Sequence, residues 1–329
     1  MERPPLEELL GSARSLIERF APPSAGEEVL ILSDTELSPL SELFEESLGG
    51  LDVRVSRLIF LTRPHPEAEP PRAAAEALAG ARLFFALTKH SLSYTLALEQ
   101  ALKGGTRGLL LTDFCEEMLS RGASAEGAME EGRKLALSVA ERLSEAKMAY
   151  LSAPAGTGLE LSLEGREGIP LTGAAVPGHL TPALVLAATI APLEGSAQGV
   201  IVADGSVGQL GIGLLKEPVI SNVRDGLLTG AYGGPQALFL KDALLSHGDP
   251  YVFNLAELSV GLNPAASLSG HPLEDGGAMG VVRIGIGTNT LTGGRVRAAS
   301  HYDLFIRGAT LTLDGEAILK EGELQATPL

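Results

Sequence analysis

One cysteine, Cys115, is all the chain has among 329 residues. That excludes an intrachain disulfide framework and a cysteine-built zinc finger. Basic charge is also scarce: 25 Lys and Arg stand against 41 Asp and Glu, a formal net charge of −16. The shortfall is even, with 16 basic and 24 acidic residues in 1–150, and 9 and 17 in 151–329. Neither half has the clustered cations that neutralise phosphates, so no nucleic acid is expected as a partner. No apolar run reaches the ~18 residues that a membrane span needs; the best candidate, Ala183–Leu193, falls short, so no membrane is expected either. The opening MERPPLEE has no cationic segment leading into an apolar one, so no signal peptide is read and a cytoplasmic location is expected. There is no P-loop, no G-x-S-x-G, no H-E-x-x-H and no G-x-G-x-x-G after the first strand.

What is present is a globular composition, 45% hydrophobic and 20% charged. At ~150 residues per domain the length suggests two domains, read here as 1–150 and 151–329 with the boundary near Tyr150. The first alternates two periods. Strand-like runs at Glu28–Leu32, Asp52–Leu61, Ala81–Leu87 and Arg107–Thr112 are separated by helical spacing at Pro39–Leu48, from Pro71 or Arg72 to Leu78, and at Ser91–Leu102. Ser91 is a candidate N-cap, and Asp113 with Glu116 forms a candidate capping box for a helix ending near Gly122. A long helix covers roughly Ala125–Ala146. Strands alternating with helices imply an α/β domain built on a parallel sheet. The second domain changes character. Leu159, Leu161 and Leu163 alternate with polar residues, and Asp204-Gly205, Asp225-Gly226 and Asp314-Gly315 signal hairpins. With one helix candidate near Gln236–Leu245, this domain is expected to be β-rich and mostly antiparallel.

Chemistry concentrates in a few places. If SHYDLFI, 300–306, is a strand, His301 and Asp303 share one face and could converge on a cation, or simply bond to each other. Glu257 stands in VFNLAELSVGLNP, where an ionised carboxylate is costly to bury without a partner or a metal, unless it points to water at a loop edge. His247 reads as a surface turn or, if its loop folds inward, as a further metal ligand, and His271 reads as an exposed loop residue. His90 follows the third strand, at the end of the sheet where open α/β folds bind ligands.

Several segments together resemble the thermophilic metallo-aminopeptidases of the leucyl aminopeptidase T and S type. They are VFNLAELSVGLNP, LEDGGAMGVVRIGIGTN, SHYDLFI and TLTLDGEAILKEGEL, with LTKHSLSYTLALEQALKGGTRGLLL and AGTGLELSLEGREG in the first half. The resemblance implies a two-domain exopeptidase, paired as a homodimer and using divalent Zn, Co or Mn. It places metal ligands at Glu257, His301 and Asp303, and His90 and Asn289 are taken as substrate contacts. Three family positions depart: Ala187 stands for an expected glutamate, Arg283 for a ligand histidine and Thr290 for a catalytic tyrosine. Arg283 cannot be a ligand, but it could take a second cation's place and act as a catalytic contact to an oxyanion or a substrate carboxylate.

The fold also resembles that of 2,5-dihydroxypyridine 5,6-dioxygenase, whose late His-x-Asp pair holds iron(II) with a further histidine. The leading expectation is therefore a metal-dependent hydrolase of aminopeptidase type acting on peptides or a small molecule. One alternative is a mononuclear Fe(II) dioxygenase that opens a dihydroxypyridine-like ring. Another is a pseudoenzyme that binds a peptide or small molecule without turnover, motivated by Ala187, Arg283 and Thr290.

Overall fold

The computed structural model describes residues 4–124 and 126–325. The chain forms two compact units, one comprising the residues up to Gly127 with Gly173–Leu184, the other Ala128–Thr172 with Val185 onward. The boundary expected near Tyr150 thus lies inside the second unit.

The first unit runs α1 (Leu6–Phe20), β1 (Glu27–Asp34), α2 (Ser38–Leu48), β2 (Val53–Phe60), α3 (Arg72–Gly80), β3 (Leu83–Thr88), α4 (Leu96–Lys103), β4 (Arg107–Thr112) and α5 (Glu116–Ser124). Its four strands are all parallel, in the order β2-β1-β3-β4. β3 reads LFFALT and is buried along its whole length, as a strand covered on both faces should be. The edge strand β2 instead has several exposed residues. Helix α1 has no counterpart among the elements expected above, although Leu9, Ala13, Leu16, Ile17 and Phe20 form one buried stripe at helical spacing. Glu7 and Glu8 in its first turn and Arg19 in its last suit the helix dipole.

Two local expectations change. Helix α4 starts at Leu96, because the Thr95 hydroxyl accepts from the Leu98 N–H, so Ser91 is not its cap. Helix α5 starts at Glu116, so Asp113 lies ahead of its cap position and not at it; the Asp113 carboxylate accepts from the Lys89 ammonium at 2.7 Å. Residues 173–184 rejoin this unit alongside β4: the Leu110 N–H donates to Thr181 and the Ala183 N–H to Leu110, at 3.0 and 2.9 Å.

The second unit is entered along α6 (Glu126–Glu145); the expected start of this helix, Ala125, lies outside the described residues. Next come β5 (Met148–Ser152), β6 (Gly158–Ser162), β7 (Ile169–Leu171), β8 (Ala187–Ile190), β9 (Gln198–Ala203), β10 (Ser206–Val207), β11 (Gly213–Leu214), β12 (Val219–Arg224) and β13 (Leu227–Leu228). Helix α7 (Pro235–Ser246) is followed by β14 (Leu255–Gly261), the short α8 (Pro272–Asp275), β15 (Val282–Gly287), β16 (His301–Ile306), β17 (Thr310–Leu313), β18 (Glu316–Lys320) and β19 (Glu323–Leu324). These strands make two antiparallel sheets, β11-β10-β16-β15-β14-β8-β7 and β13-β12-β9-β6-β5-β17-β18-β19.

Asp225-Gly226 and Asp314-Gly315 close two-residue hairpins between paired strands, with all four residues at positive φ as a type I′ turn requires. Asp204-Gly205 does not, because β9 and β10 belong to different sheets. The unit's core draws on both sheets and on α6, through Leu135, Val139, Leu143, Leu159, Leu161, Leu258, Val260, Ile284, Ile286, Leu304 and Ile306. Among the described residues, no helix is long and apolar enough to cross a membrane.

Candidate functional site

Strand alternation sorts β16 into two faces. Tyr302, Leu304 and Ile306 enter the core. His301 and Asp303 turn to the opposite face, where antiparallel register gathers the chain's unusual polar residues. Glu257 on β14, Gly285 on β15 and Asp303 on β16 lie in one cross-strand line. Ser259, Arg283 and Phe305 form the next line, two residues along each strand.

Glycine is required at 285. A Cβ there would stand 2.8 Å from the Glu257 Cβ, 2.7 Å from the His301 Cε1 and 2.9 Å from its Nε2. The bare backbone of β15 is what admits the imidazole on one side and the glutamate on the other.

Four side chains meet on this face. The Arg283 guanidinium donates to Glu257 Oε1, and its Nε lies 3.6 Å from Asp303 Oδ1. His301 Nδ1 is 2.7 Å from the Thr288 carbonyl, which only accepts, so this nitrogen carries a proton. His301 Nε2 is 3.2 Å from Asp303 Oδ1. Gln209 clamps Asp303 twice: its amide donates to Oδ2, and its carbonyl accepts the Asp303 N–H at 3.0 Å. Gln209 holds this position at φ 71°, a left-handed conformation uncommon for a side chain with a Cβ. Glu257 is 0% exposed, so its charge is met by protein and not by water.

Burial opposes charge on both members of the His301–Asp303 pair, but their neighbours outweigh it. Asp303, His301 and Glu257 belong to one charge cluster: the hydrogen bond and charge of Asp303 and the charge of Glu257 raise the His301 pKa above its usual value. The charge of Arg283, the charge and hydrogen bond of His301 and the Gln209 amide hold Asp303 well below the usual carboxylate range. A carboxylate with a depressed folded pKa contributes stability above its unfolded value of ~3.9, and this is lost as pH falls through the folded value. Asp303→Asn is therefore expected to be less stable than the parent at pH 7. The difference should shrink below pH 4, which urea unfolding at pH 7 and pH 3 would show.

Other expected site residues fall elsewhere. His247 is not a free surface histidine: its Nε2 meets the Tyr302 hydroxyl at 3.0 Å, on the core side of β16. It therefore cannot join His301 and Asp303 as a donor. Asn289 is fully buried and spent on structure, with its amide donating to Glu194 and its carbonyl accepting the Val296 N–H, at 3.0 and 2.8 Å. His90 belongs to the first unit, after β3, where burial first and then the Arg63 charge lower its pKa. Gln209 and Thr288 were not anticipated; only proximity in the fold marks them.

The sequence profile of the NicX family, 2,5-dihydroxypyridine 5,6-dioxygenase, matches residues 25–326. The chain belongs to this family. Among its relatives, the 2,5-dihydroxypyridine 5,6-dioxygenase of Pseudomonas putida is 28% identical over 243 residues, covering 69% of this chain and 67% of that one. The solved 2,5-dihydroxypyridine dioxygenase of Pseudomonas putida KT2440 superposes with a TM-score of 0.83 at 22% identity, over 98% of this chain and 99% of that one. AmpT of Thermus thermophilus superposes with a TM-score of 0.69 at 14% identity, covering 98% and 100%. The likeness to AmpT is one of fold. Membership of NicX corrects the expectation of a hydrolase, aminopeptidase or metalloprotease, because the family profile spans the chain and names a dioxygenase.

The family's chemistry implies a metal, and the donor set here can be tested against one. His301, Asp303 and Glu257 do share a face, as expected. Yet the Arg283 guanidinium engages Glu257 and also pairs with Asp303, which leaves His301 as the one expected donor beyond its grip. Among the described residues, no group of three His, Cys, Asp or Glu side chains is arranged to hold a metal ion. An iron face of two histidines and a carboxylate needs a second imidazole, and His247 is on the wrong side of β16. The residues present do not fit the expected centre.

Proposed function

We propose that this NicX-family chain is a ring-opening dioxygenase acting on a small dihydroxylated N-heteroaromatic of the 2,5-dihydroxypyridine class. The observation that carries the reading is the span of the family match, 25–326, which includes every residue of the Glu257–Arg283–His301–Asp303 face. That face offers what a ring diol needs before it meets dioxygen. An imidazole beside a carboxylate can take up or return a hydroxyl proton, and a fixed guanidinium can hold an oxygen anion in place. A cytoplasmic homodimer is part of the same proposal.

Oxygen uptake with 2,5-dihydroxypyridine tests it, measured with and without ferrous iron and with a chelator. Uptake matched by loss of the ring's absorbance is the expected result. The absence of both oxygen uptake and anaerobic binding of the compound would overturn the reading. Arg283 favours a second reading, in which the chain retains the ring without turning it over. Anaerobic binding with no uptake under any metal condition would select it.

A further inference from the structure

We propose that Arg283 is the resident cation of this site, and that its guanidinium takes the place where the family's chemistry calls for a divalent metal. Three features carry this. The guanidinium binds Glu257 and lies beside Asp303, so it holds two of the three expected donors by itself. Glu257 has no exposure, so its carboxylate is enclosed together with the guanidinium it binds. Finally, a guanidinium stays protonated at any ordinary pH. A dication placed among the same oxygens would sit against a fixed positive charge with no proton to release.

The register explains how the exchange is built. Arg283 occupies the strand position two before Gly285, on the same face, and reaches along β15 to the Glu257–Asp303 line. Gly285 leaves room there for His301. His301 spends Nδ1 on the Thr288 carbonyl and turns Nε2 to Asp303, so that Glu257, Arg283, Asp303 and His301 follow one another as alternating members of one charge cluster. The inference rests on the preceding reading only for its expectation of a metal, and it is decided by metal content rather than by turnover.

The test is elemental analysis of the full chain after incubation with Fe(II), Zn(II), Mn(II) or Co(II) and desalting, with thermal melts in each metal and in chelator. The expected result is below about 0.1 metal per chain and a melting temperature unmoved by metal or chelator. In Arg283→His, which supplies a second imidazole in place of the cation, the expectation is a gain towards one metal per chain and a melt that falls on chelation. Tight metal in the parent chain, near one per chain and lost in Asp303→Asn, would overturn the proposal. Should Arg283→His fail to fold, the parent's metal content and melts still decide.

Discussion

Arg283→Ala is expected to destabilise the protein by about 3–5 kcal/mol, the usual cost of removing one partner from a buried ion pair. The size follows from what remains. Glu257 is 0% exposed and engages the guanidinium, and apart from Ser259 the rest of β14 and β15 is apolar residues and glycine. Without the guanidinium, the buried carboxylate loses the cation it engages, and burying a charge less well compensated is unfavourable. The double variant Glu257→Gln with Arg283→Met separates this from lost packing. It removes both charges while keeping similar volume, so it should recover most of the lost stability. Equilibrium urea unfolding of the parent and the two variants measures the effect. If the single and double variants are equally unstable, the pair's role is packing and not charge.

Gly285→Ala should be nearly as damaging. The new methyl would lie 2.7 Å from the His301 ring and 2.8 Å from the Glu257 Cβ, inside any tolerable contact. Both neighbours hang from strands paired to β15 on either side, so neither can swing away without breaking ladder bonds. Overpacking of this kind costs about 1–3 kcal/mol and sometimes more. Displacement of His301 should also weaken anaerobic ring binding. Ala at Gly293, where a Cβ meets nothing within 4 Å but φ is 87°, is a useful contrast: it reports backbone strain without steric conflict at the site. Melting temperatures with a ring-binding titration on both variants test the distinction.

Much of the architecture was legible because it depends on periodicity. The parallel sheet announced itself through short apolar strands between helical spacings, and two of the three Asp-Gly signals closed true hairpins. Asp204-Gly205 misled because a turn dipeptide says where the chain bends, not which sheet receives the next strand. Helix α1 was missed although its stripe is amphipathic, and His247 was misplaced because nothing near it in sequence points to Tyr302. At the site, His301 and Asp303 were picked out by their strand spacing, Glu257 by its charge in an apolar run, and Arg283 by its place in the resemblance to the aminopeptidases. Their arrangement was not legible. Whether an arginine lies beside a cation's place or within it depends on a cross-strand register spanning 46 residues, from Glu257 to Asp303. Gln209 had no signature at all. The aminopeptidase expectation failed for a related reason: one fold hosts different chemistries, and shared scaffold motifs outnumber the few positions that distinguish them.

The return of residues 173–184 to β4 has a practical consequence for dissecting the protein. A fragment that stopped at Tyr150 would carry every strand of the parallel sheet yet lack the segment that bonds to Leu110. Its terminal strand would then offer unsatisfied amides and carbonyls to any passing chain, an invitation to aggregate. Because the polypeptide passes between the units three times, no single cut yields two complete halves.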